Sequence, residues 1–381
     1  MNDGIHGMLP REQMCEGAKT YWDFYNMVPN APFYKTNMGY YSLDRWYEQD
    51  GLSRDANLHE LFGNSPQGRV DLMGLGWTEA GFAPEFDDVV LEDRGDYELV
   101  QDNAGRSVLF FKGRRNGFMP EYVDHPVKDM KSWEEKCRWR MDPNSPSRQA
   151  DMDRYMPHVV ECAKKGMFVG QMVIGGYMYL RSLMGPEGVL YMFYDDPKLI
   201  HACMEQWLYL ADNIIARHQQ HVTIDELFIG EDICYKNGPL ISPDMIREFL
   251  LPYYQQLLTN MRRRQIDKTR RLGFQLDTDG FCDPVIDIYK ELGMTMISPF
   301  EVASNSDVIR TGMKYPDLRL KGGVDKRVLA MGPKAIDEMV DRIFPVMKKR
   351  GGYIPTCDHG VPEEVSLENY LHYRKRLQEF G

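Results

Sequence analysis

The chain has 381 residues, 43% of them hydrophobic and 27% charged, with a formal net charge of -11. That balance suits a globular protein with a large core and argues against binding to nucleic acid, because duplex-DNA binders carry a basic footprint. No run approaches the roughly 18 apolar residues of a membrane span, and seven scattered cysteines without framework spacing read as reduced thiols of a cytoplasmic protein.

In chain order, Tyr21, Phe24, Tyr25 and Met27 recur at near-helical spacing, so the N-terminal stretch reads as a helix that ends at Pro29-Asn30. Ala31 to Asn37 reads as a short strand, and Trp46 belongs to a helix ending near Asp50-Gly51. Three short apolar runs come next: Asp88 to Glu92, Tyr97 to Gln101 and Ser107 to Phe111. Turn residues join them, as in a β-meander forming a lobe beside the main body.

From about Gly166 the rhythm becomes strand, loop, helix. Strands are predicted at Met167 to Ile174, Glu226 to Gly230, Leu272 to Asp277, Met294 to Ser298, Arg319 to Gly322 and Tyr353 to Thr356. With Ala31 to Asn37 and a further strand near Val70 to Met73, these make the eight parallel strands of a (β/α)8 TIM barrel. A doubly wound sheet is the rival, but no Gly-rich phosphate loop follows the first strand. The division is residues 1–165, with N-terminal helices, first barrel strands and meander, and residues 166–381, the main part of the barrel.

Active sites of such barrels lie where strands end. Those ends are polar here: Asn37; Glu231 and Asp232; Asp277 and Asp279; Glu301; Asp325 and Lys326; then Cys357, Asp358 and His359. Seven carboxylates on one rim require cations or shared protons. Each residue also has a plainer use. Asp325 suits an N-cap, Asp277-Thr278-Asp279-Gly280 suits a turn, and Cys357 suits a small core residue.

The segment Cys357-Asp358-His359-Gly360-Val361-Pro362, with Ser366 to Tyr370, resembles the C-terminal motif of the uroporphyrinogen-decarboxylase superfamily. Gly230-Glu231-Asp232 with Gly238 to Pro243, Leu320-Lys321-Gly322-Gly323-Val324-Asp325-Lys326, and Gly185-Pro186-Glu187 through Pro197 fit the same pattern. The stretch Tyr34 to Tyr41 has one lysine and no arginine. A tetrapyrrole with many carboxylates would lack its guanidinium partners there.

The resemblance therefore implies the corrinoid-dependent methyltransferase branch. It implies transfer of a methyl group from a small O-methylated, aromatic substrate to the Co(I) corrinoid of a partner protein. In that reading His359, Glu231 and Asp232 are catalytic, and Asn37, Tyr40, Tyr177 and Glu301 bind substrate. Other aromatics available to hold a ring are Tyr41, Trp77 and Tyr179. The zinc ligands of the coenzyme M branch align with Asp277, Asp279 and Cys357, an oxygen-rich set still compatible with Zn2+. A homodimer fits this reading as well as a monomer does. The alternatives are a decarboxylase of a small acid on the same scaffold, or a non-catalytic tetrapyrrole-binding protein.

Overall fold

The structure is a computed structural model and describes residues 9–113 and 120–381. Strand β1 (Arg69–Asp71) precedes β2 (Val89–Arg94), β3 (Tyr97–Gln101), β4 (Ser107–Phe111) and β5 (Glu121–Asp124). Then come β6 (Phe168–Ile174), β7 (Glu226–Gly230), the short pair β8 (Cys234–Tyr235) and β9 (Gly238–Pro239), and β10 (Gly273–Asp277). The last three are β11 (Met296–Ser298), β12 (Arg319–Lys321) and β13 (Tyr353–Ile354).

Seven of these form one curled parallel sheet in the order β1-β6-β7-β10-β11-β12-β13. The order follows the chain without reversal. A doubly wound sheet reverses at a switch point, whereas a β/α barrel does not. Parallel neighbours need long crossovers, which helices such as Pro197–His218, Leu251–Arg264 and Pro333–Arg350 provide.

The expected closure by eight strands is not seen. Ala31 to Asn37 forms no strand: Pro32 has no N–H to give a ladder, and the Lys35 backbone is engaged with Ser65 by two bonds of 2.8 Å. Phe33 packs instead against Phe344 and Tyr353, with ring centroids 5.5 and 5.6 Å away. Among the described residues no ladder joins β13 to β1; the nearest link is a single bridge between Tyr40 and Val361. The meander has a fourth strand, β5, beyond the three that the turn signals give.

Period-two alternation gives the sheet two unlike faces. Leu227, Ile229, Phe274, Leu276, Ile297 and Leu320 are completely buried against the surrounding helices, in the main core. On the other face a separate small cluster, Phe24, Tyr25, Phe168, Met296 and Ile354, closes the N-terminal end of the curl. The helix Glu16–Tyr25 supplies two of its rings. No helix of the described residues is long and apolar enough to cross a membrane.

Candidate active site at the strand ends

Parallel pairing sets Gly230, Asp277 and Ser298 side by side at the ends of β7, β10 and β11. Asp277 accepts a short hydrogen bond from the Ser298 hydroxyl, which in turn accepts one of 2.8 Å from Gln275 Nε2. Burial pushes the Asp277 carboxyl up to about 6, with Asp279 and Asp232 adding to the rise and Ser298 and Lys321 opposing it.

Beyond the strands the chain turns. Asp232 adopts a left-handed φ of 43°, uncommon for a residue with a side chain, and its carboxylate meets Arg181 Nη2 at 2.6 Å. Burial raises its pKa while Arg181 opposes that rise. His359 is placed between two carboxylates. Its Nε2 is 3.1 Å from Asp279 Oδ2, and its Nδ1 is 3.6 Å from Asp358 Oδ1. Lys326 Nζ is 3.0 Å from the same Asp358 oxygen. Lys326 also lies 3.3 Å from His359 Nδ1. An ammonium can only donate, so that contact would require a neutral ring. The two flanking carboxylates favour the imidazolium instead, and they raise the His359 pKa to about 10. Burial alone would raise Asp358, yet His359 and Lys326 hold it below the usual carboxylate range.

Of the residues expected from sequence, Asp232, Asp277, Asp279 and His359 therefore meet at one mouth. Others stand elsewhere. Glu231 is fully buried beneath the rim, where it accepts hydrogen bonds from the Tyr254 hydroxyl and, at 2.8 Å, from the Tyr177 N–H. Burial pushes its carboxyl up to about 7. It holds the start of the helix Gly176–Met184 rather than facing a ligand. Tyr177 is itself completely buried, and burial raises its hydroxyl to about 12. Asn37 donates to the Tyr40 hydroxyl at 2.6 Å, and the Tyr40 ring is packed among Trp46, Phe62 and Tyr370. Glu301 ties its loop to the one after β10, accepting from Ser304 Oγ and Gly280 N at 2.9 Å each. Asp325 is the N-cap of the helix Lys326–Ala330. Tyr179 lies in the core, its hydroxyl 3.2 Å from the Cys203 carbonyl.

The three metal-ligand candidates do not converge. Cys357 is buried toward Tyr353, Tyr370 and Tyr373, where burial raises its thiol to about 12. Among the described residues no group of three or more His, Cys, Asp or Glu side chains could hold a metal ion. Asp277, Asp279 and Cys357 thus do not fit zinc as a set.

Two further side chains of the mouth lie off the strand ends: Trp77, expected among the ring-holding aromatics, and Arg181, which the sequence reading missed. Arg181 lies on a helix, and its only signal is a cation inside the apolar run Gly176 to Met184. Trp77, on the loop after β1, stacks on Phe228 at 5.6 Å and remains 45% exposed, an open aromatic surface beside Gly230.

The uroporphyrinogen decarboxylase (URO-D) family model matches residues 158–380. Among solved structures, a methyltransferase from Methanosarcina mazei superposes with a TM-score of 0.55 at 13% identity, over 96% of this chain and 99% of that one. Xylanase B from Clostridium stercorarium F9 gives a TM-score of 0.31 at 15% identity over 55% of this chain and 72% of its own, a likeness too faint to carry an argument. No curated protein matches. The methyltransferase likeness concerns the fold alone, but the family match covers more than half of the sequence: the chain belongs to the uroporphyrinogen decarboxylase family.

Proposed function

We propose that the protein is a methyltransferase that moves a methyl group from a small aromatic methyl ether to the reduced corrinoid of a partner protein. Family membership and the fold shared with the Methanosarcina mazei methyltransferase support methyl transfer in general. The observation that carries the finer reading is His359, a cation held between Asp279 and Asp358 at the mouth. Cleaving a methyl ether leaves negative charge on the departing oxygen, and a fixed imidazolium there lowers that cost. His359, kept protonated by its two carboxylates, is suited to return a proton to a phenolate. Trp77 offers the ring a stacking surface, and Arg181 fixes Asp232 beside it.

The corrinoid would supply the nucleophile, and Cys357 does not take that role, because its thiol is buried and held protonated. No step is assigned to zinc, because Cys357 is buried away from Asp277 and Asp279.

The test mixes the protein, a reduced corrinoid protein and an aromatic methyl ether, and follows the corrinoid absorbance while phenol is quantified. Methylated corrinoid and phenol should appear one to one. Release of CO2 from a carboxylated substrate without any corrinoid would replace this reading with the decarboxylase.

A further inference from the structure

The inner face of the curled sheet carries charge above its apolar plug. Arg69 Nη1 lies 2.5 Å from Glu226 Oε1, and Arg69 Nη2 lies 2.7 Å from Asp71 Oδ1. Gly170 makes that possible, since a Cβ there would stand 2.2 Å from Arg69 Nη2 and from Asp71 Oδ1. Lys321 on β12 pairs with Ile354 of the plug and so faces the same interior. Its direction is fixed by the next residue: a Cβ on Gly322, at φ 113°, would lie 1.5 Å from the Pro299 carbonyl oxygen.

Lys321 is half-buried, and among the described residues it has no hydrogen bond or ion pair. Asp277, Arg69, Glu226 and Asp71 all act on its charge from the surrounding strands without touching it. Glu226 Oε2 is also buried without a partner. Met172, Phe228 and Asp277 keep accessible surface along this face up to the mouth. Barrel interiors are ordinarily filled by layers of packed side chains. Here an ammonium with unused donors lines the interior instead, a costly arrangement unless something takes those donors.

The charge pattern narrows what that is. Three carboxylates face two cations, and Arg69 is already occupied by two of the carboxylates. Burial pushes the Glu226 carboxyl up to about 8 and that of Asp277 up to about 6, so the interior holds little net charge for a free ion to balance. A neutral molecule with an electrophilic carbon suits an amine so placed. We propose that Lys321 forms a protonated imine with a small aldehyde or ketone that enters the inner face of the sheet. The Nζ–C bond forms and the C–O bond breaks. The oxygen leaves as water with two of the ammonium protons, and the third stays on the imine nitrogen. The positive charge therefore keeps its place among Asp71, Glu226 and Asp277. Burial lowers the lysine pKa and so enlarges the fraction of free amine.

This inference stands apart from methyl transfer, and its test contains no corrinoid. The native protein is treated near neutral pH with limiting acetaldehyde and cyanoborohydride, and each lysine is followed by peptide mass spectrometry. Lys321 should be alkylated about tenfold faster than the median exposed lysine, because burial raises its share of free amine. Glu226→Gln should change the Lys321 rate while leaving the exposed lysines unaltered. A Lys321 that reacts no faster than exposed lysines, or not at all, overturns the proposal.

Discussion

The two faces of the parallel sheet are made by the same strands, yet they obey different rules. Outward, Leu227, Ile229, Phe274 and Leu276 vanish into a continuous apolar core. Inward, the same strands β7 and β10 present Glu226, Phe228, Gly230, Gln275 and Asp277, of which Phe228 alone is a large apolar side chain. The outer face fixes the fold, and the inner face is free to hold groups that a close-packed core would not tolerate. Stability and chemistry are therefore separated by one residue along a strand.

The largest expected effect tests that separation. Phe274→Ala removes a completely buried ring and should cost about 3–5 kcal/mol in chemical denaturation. Lys321→Met, one face over, should change stability by roughly 1 kcal/mol or less, because exchanging a desolvated cation for an apolar chain of similar length is close to neutral. Equal losses for the two would erase the contrast.

Next in size is His359→Ala. If the imidazolium stabilises the departing oxygen, turnover should fall at least about 10²-fold with the variant still folded at the assay pH. A fall below about threefold would return His359 to a structural role beside Asp279 and Asp358.

The smallest effect is a pH dependence. The pKa of His359 is raised from an unfolded value of 6.5 to about 10 by its two carboxylates. Its contribution to stability is then complete below the unfolded value, declines above it, and is gone once pH passes the folded value. The ring is partly exposed, so the effect is screened. Denaturation of the native protein and His359→Ala across this range should show the gap between them closing as pH rises. A gap that widens with pH would mean that the ring is neutral and that the Lys326 contact governs it.

Much of this was legible in the residues, and the exceptions have physical causes. Six inner strands follow from their apolar cores and bounding turns, because a buried parallel strand reads as a short hydrophobic run. Ala31 to Asn37 has the same look, but Pro32 and the bonds to Ser65 remove it from any ladder. The strand-end rule picks out Asp232, Asp277, Asp279 and His359, which the fold brings to one mouth. It fails for Glu231 and Cys357, because residues at a strand end point in different directions and sequence does not say which point inward. Lys321 is visible only as part of a motif, since its unpaired state depends on strands far away in the chain.

The plug at the base of the curl also sets an order of events during synthesis. Phe24 and Tyr25 are made well before their partners Phe168, Met296 and Ile354. Phe33 likewise waits for Phe344 and Tyr353. Such distant pairings are reached slowly and leave apolar surface uncovered until they form. The helix Glu16–Tyr25 can meet Phe168 once β6 is made, but its contacts with Met296 and Ile354 must wait for β11 and β13, and a ribosome that stalls before β13 would release a chain with its base still open.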